Sequence, residues 1–244
     1  MAFNANERNG GGGYTPPEAL AAKNYPARLV QLVLLGLQPQ RPFQGNAKPP
    51  AEAMYVGYEL SHEFMTDEDG QPDGSKPRWV GEDFPFYSLD ADRAKSTLRY
   101  HALDPEGTTG GDWLKLAGAA CQVTLTKEPR KGHEGQFVNY ISNVTGAMEA
   151  PGYTQPELVN PIRIFDIDEP DMEVFAKLPK WMQDKVSSNL NFEGSALQAA
   201  LAASGNTPED KPKPTPAPTP APAPSQPAAP KAPPKPPAPS APNS

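Results

Sequence analysis

Two runs of alternating residues, joined by a short basic turn, constrain this chain most. Residues 119–144 read AACQVTLTKEPRKGHEGQFVNYISNV. Cys121, Val123 and Leu125 alternate with Gln122, Thr124 and Thr126. Beyond the turn, Phe137, Asn139 and Ile141 alternate with Val138, Tyr140 and Ser142. A period of two puts successive side chains on opposite faces, so each run predicts a half-buried strand. The connection carries Lys127, Arg130, Lys131 and His133. An isolated two-stranded hairpin is barely stable in water, so the rest of the chain has to supply a sheet.

It supplies three more candidate strands. Residues 28–38 (RLVQLVLLGLQ) are apolar and rich in branched side chains. Pro26 and Pro39 bound the run and Gly36 interrupts it, which favours a strand with a bulge or bend at Gly36 over a helix. In residues 53–64, Met54, Val56, Tyr58 and Leu60 share one face; Tyr55, Gly57, Glu59 and Ser61 share the other. Residues 78–89 form a less regular third strand, with Pro85 marking an edge or bulge. Residues 90–102 predict a helix capped by Asp90, with a stripe of Ala91, Ala94, Leu98 and His101 or Ala102. Residues 113–116 predict a short turn. Three strands, a helix and two strands is the order of the OB-fold, a five-stranded Greek-key barrel with its helix between strands three and four. That fold binds ligands across strands two and three, between the loops joining strands one and two and strands four and five. Here both of those loops are basic. Residues 28–51 contain no acidic residue, whereas the loop between strands two and three carries Asp67, Glu68, Asp69 and Asp73.

Composition limits how much of the chain can form a core. From Gly205 onward, 16 of 40 residues are proline and most others are Ala, Ser, Thr or Lys. Such a segment buries too little apolar surface to offset its ordering entropy, so residues 205–244 are expected to be disordered, either as a spacer or as a PxxP-type tether. Residues 1–24 read as a flexible arm, 25–150 as the barrel, and 151–204 as an acidic, helical appendage with a brief strand near Ile162. Its helices are expected at 172–178, within 180–189, and in an Ala/Leu segment ending near Ala203. Net charge is −7. Lys211, Lys213, Lys231 and Lys235 outweigh Glu209 and Asp210 in the tail, so the remainder is more acidic still. An acidic body disfavours nucleic-acid binding unless its charges are segregated. The single cysteine, Cys121, excludes an intrachain disulfide and reads as a small buried residue. With no signal-like N-terminus and no apolar stretch of membrane-spanning length, a soluble, intracellular protein is expected.

Single-strand binders combine basic grooves with aromatic faces on which bases stack. The candidate stacking residues are Phe43, Tyr55, Trp79, Phe137 and Tyr140; the candidate phosphate contacts are Arg41, Lys48, Lys127, Arg130 and Lys131. The competing assignment places Phe137 and Tyr58 in the core. No catalytic residue, cofactor or metal site is expected. His62, His101 and His133 lack partners at metal-ligand spacing, a lone cysteine cannot build a thiolate zinc site, and no nucleophile, phosphate or dinucleotide motif is present. The run Asp166, Asp168 and Glu169, with Phe175 and Trp181, is a candidate partner-docking surface.

The segments NYPARLV (24–30), FDIDEPD (165–171), LPKWMQ (178–183) and NFEGSAL (191–197) resemble those of a group of bacteriophage early-region proteins, similar in architecture to phage single-stranded-DNA-binding proteins. The resemblance runs over about residues 24–201. It implies a role in phage DNA replication or recombination in the host cytoplasm, with single-stranded DNA and phage replication or recombination proteins as partners. It carries over no catalytic motif. The chain ends APNS rather than in an acidic, aromatic-tipped recruiting tail. The alternative is an acidic protein-binding module, a host-enzyme inhibitor or virion accessory protein, that does not bind nucleic acid.

Overall fold

The computed structural model describes residues 17–204. The proline-rich segment expected to be disordered, and most of the expected N-terminal arm, lie outside the described residues. The chain runs β1 (Asn24–Gln38), β2 (Ala51–Thr66), β3 (Pro72–Pro85), α1 (Lys95–Leu103), a 3-10 turn (Trp113–Leu116), β4 (Ala120–Pro129), β5 (Phe137–Gly146), β6 (Arg163–Phe165), α2 (Met172–Lys177), α3 (Lys180–Ser187) and α4 (Ala196–Ala203). The fold is mainly β, and the expected order of strands and helix is present. The sheet runs β3-β2-β1-β4-β5 with antiparallel neighbours, and β6 adds parallel to β1. Two features correct the expected five-stranded barrel. The sheet has a sixth strand, and no backbone ladder closes β3 onto β5 among the described residues.

Strand β1 organises the sheet because nearly all of it is buried on both faces. One edge pairs with β2 along its length. The other pairs first with β4 at Asn24–Arg28 and then with β6 at Gln31–Val33. The ladder shifts register between Leu34 and Gly36, where Gly36 has φ +72°, so the bulge read from the glycine is there. A side chain at Gly36 would also meet Asn189. The inner face packs Leu29, Leu32, Met54, Val56, Tyr58, Leu60, Val123 and Leu125 into one core with Tyr100 and Trp113. The outer face packs Val33, Leu35 and Ala53 against Phe165, Phe175, Leu178, Met182, Val186, Leu197 and Leu201 from β6 and the terminal helices. Fully burying one such side chain contributes roughly 1.5–3 kcal/mol. The helical appendage therefore shares a core with the sheet.

Helix α1 fills the gap between β3 and β5. It starts at Lys95, not at Asp90, and Ala94 at its N-cap makes no side-chain capping bond. Asp90 instead bonds with Ser88, a local exchange that holds residues 88–94 in turns. Of the expected apolar stripe, Ala102 packs against the inner core, but Leu98 is 54% exposed, and the buried face is Ser96, Thr97, Arg99, Tyr100 and Leu103. Arg99 explains the reversal. Its Nε donates to Glu82 Oε1 of β3 at 2.6 Å, while its other nitrogens reach Asn143 Oδ1 and the Ser142 carbonyl of β5. Both partners of this ion pair are nearly fully buried. A buried pair of this kind is costly to break, because the surviving charge is left uncompensated.

Hydrogen bonds to buried groups also fix the 155–160 segment. Glu59, buried on β2, accepts from Val159 N at 2.6 Å, Asn160 N at 3.1 Å and Asn160 Nδ2 at 2.7 Å. Arg28 donates to the carbonyls of Gly118, Gln155 and Pro156 and pairs with Glu157. Its guanidinium is spent on the fold. Cys121 is fully buried, its thiol donates to the Ala27 carbonyl, and burial pushes its pKa up to about 12.

Candidate nucleic-acid interface

The loop between β1 and β2 folds into a tight turn. Phe43 and Asn46 exchange both backbone hydrogen bonds at 2.9 Å, while Gln44 (φ +50°) and Gly45 (φ +80°) take the left-handed conformations such a turn requires. The turn presents Phe43 at 58% exposure, with Lys48 Nζ 4.9 Å from its ring centroid. Arg41 is exposed beside it. The loop between β4 and β5 makes a similar pair by a different route. Lys127 lies opposite Asn139 and Pro129 opposite Phe137, so Phe137 is the diagonal neighbour of Lys127 on the same face. Lys127 Nζ sits 5.1 Å from the Phe137 centroid, and Phe137 is 46% exposed, not in the core; Tyr58 is the core residue of the two. Arg130 spends part of its guanidinium on Gln136 of its own turn, and Lys131 is exposed.

The remaining candidates are placed differently. Tyr140 is exposed but three residues from Phe137, so on a pleated strand it faces the opposite side. Tyr55 lies on the outer face of β2, edge-on to Trp181 at 5.6 Å, with its hydroxyl over Gly81 of β3. Burial first, and then the Asp83 charge, raises its pKa to about 12. Trp79 is half-buried on β3 under the Arg163 guanidinium, 4.9 Å from its ring. The outer face of β2 and β3 is therefore partly occupied by the appendage. Sequence reasoning missed Arg163, since nothing near it in the chain points to Trp79.

Charge is less segregated in space than along the chain. Ala27 pairs with Leu60 and Asn24 with Thr124, so the β2–β3 and β4–β5 turns both project past the N-terminal end of β1. The acidic turn at 67–69 and the basic turn at 130–131 thus share one end of the sheet. The Phe43 turn lies at the opposite end of β1. There Glu52 begins β2 near Asp168, and its carboxyl pKa is raised by burial and then by the Asp168 charge. Asp166 accepts from Asp168 N within its own turn, Asp168 and Glu169 are exposed, and Asp171 caps α2. Phe175 is a core residue against Phe165 at 5.5 Å, while Trp181 remains 51% exposed. Of the proposed docking set, Phe175 is thus inaccessible to a partner. Among the described residues there is no group of three or more potential metal ligands and no helix long and apolar enough to cross a membrane.

No protein-family model, curated protein or solved structure matches this chain.

Proposed function

We propose that the protein binds single-stranded DNA without sequence preference, through the two basic turns at the ends of β1, in phage DNA replication or recombination. The observation that carries this is the repeated pairing of an exposed phenylalanine with a lysine, Phe43 with Lys48 and Phe137 with Lys127. An exposed aromatic face gives a base something to stack on, and an adjacent ammonium gives its phosphate a counter-charge. Neither ring contributes to the buried cores. The strand path also supports an OB-like, partly open barrel, with α1 and Arg99 spanning the side that the ladder leaves open. No step of this function requires catalysis.

One observation favours a second reading. Asp168 and Glu169 are exposed near Glu52, and Trp181 is exposed on the adjacent helix, a combination suited to a basic partner protein. Fluorescence anisotropy of labelled oligo-dT separates the two. Binding at low salt that weakens as salt rises supports the DNA reading. Absence of binding at low salt removes it and leaves the acidic surface as the working face.

A further inference from the structure

The segment just before β1 crosses the open side of the sheet. Leu20 packs against the inner core, and its backbone N–H and carbonyl are both taken by the Asn139 side-chain amide of β5, at 2.8 and 2.9 Å. Two residues earlier, Glu18 lies between cations from two different strands. Its carbonyl accepts from Arg78 Nη2 of β3 at 2.7 Å, and its carboxylate is 3.8 Å from Lys127 Nζ of β4. The same Lys127 covers the exposed ring of Phe137. The Glu18 side chain is 92% exposed. Charge alone holds it, and an exposed pair of this kind is weak enough to be exchanged for another anion.

Building on the DNA-binding reading, we infer that Arg78 and Lys127 form a phosphate site at the mouth of the open seam, occupied in the free protein by Glu18. The strap supplies what a nucleic-acid strand would supply, an anion for Lys127 and an oxygen acceptor for Arg78. Strand binding displaces Glu18, its carboxylate from Lys127 and its carbonyl from Arg78, while Leu20, anchored by Asn139 and the core, stays in place. Glu18 thereby lowers affinity modestly for any strand that reaches this site.

The test is oligo-dT anisotropy over a salt series with wild type, Glu18→Gln, Lys127→Ala and the double variant. Glu18→Gln is expected to bind about two- to threefold more tightly, the range of one exposed ion pair. Its log–log salt slope steepens by about 0.7, the contribution of one further released counterion on a single strand. In the Lys127→Ala background the Glu18 substitution has no effect. Unchanged affinity for Glu18→Gln while wild type binds overturns this inference and leaves the parent function standing. An equal gain with and without Lys127 also overturns it, because the effect is then one of net charge. Failure of wild type to bind at low salt removes parent function and inference together.

Discussion

The turns at the two ends of β1 carry the same pair of side chains in different surroundings. At the β1–β2 end, Lys48 makes no ion pair among the described residues, and the Phe43 turn is held by its own backbone bonds. At the β4–β5 end, Phe137 sits in a ladder, Lys127 is shared with Glu18, and Arg130 is partly satisfied by Gln136. One site is exposed and locally built; the other is set in a strand ladder and partly occupied. On the proposed DNA-binding function, the difference would separate affinity from selectivity. Uncommitted cations contribute to any polyanion encounter, whereas occupied ones reward only a ligand able to displace the occupant.

Charge reversal should have the largest effect. Arg41→Glu with Lys48→Glu, and separately Arg130→Glu with Lys131→Glu, are each expected to weaken binding of a long oligo-dT by roughly tenfold or more, read by anisotropy at low salt. If only one reversal matters, the two ends do not act on one strand. Aromatic truncation comes next. Phe43→Ala and Phe137→Ala should each cost roughly 1–3 kcal/mol of binding with little change in the urea midpoint. Tyr55→Ala should do the reverse, lowering the midpoint through lost packing on Trp181 and Gly81 while leaving DNA affinity unchanged. Loss of DNA affinity in Tyr55→Ala would move the interface onto the outer face of the sheet.

The smallest effect is expected at Glu52. Its folded-state carboxyl pKa is raised, so the ionised form is disfavoured by folding. Below the unfolded-state pKa, about 4.3, wild type and Glu52→Gln should be equally stable. As pH rises through the folded-state value, the glutamine variant should gain a slightly higher thermal midpoint. A constant difference from pH 3 to pH 7 would contradict this origin.

The strands were legible because alternation is local: the hairpin at 119–144 and the Gly36 bulge follow from neighbouring residues, as does the presence, though not the start or the buried face, of the helix between β3 and β4. The faces of β2 were less so. Tyr55, Gly57 and Glu59 share the face opposite Met54, Val56 and Tyr58, but what covers them, Trp181, Gln31 and the 159–160 segment, is distant in sequence. The buried face of α1 was hidden because it is polar, organised by an Arg99 partner 17 residues earlier. The basic and aromatic character of the candidate turns is in the sequence itself, but their positions relative to acidic groups depend on strand register. That register places the acidic β2–β3 turn beside the basic β4–β5 turn, and Asp168 beside Glu52.

Oligonucleotide length tests the joint use of both ends of β1 most directly. Affinity should be measured for oligo-dT from about 4 to about 16 nucleotides, the span of sites on such domains. Wild type should gain affinity with length until one strand reaches both turns. The Arg41/Lys48 and Arg130/Lys131 reversals should each flatten that gain, since each leaves one working end. An equal gain with length in wild type and both variants would contradict a shared strand held at the two ends of β1.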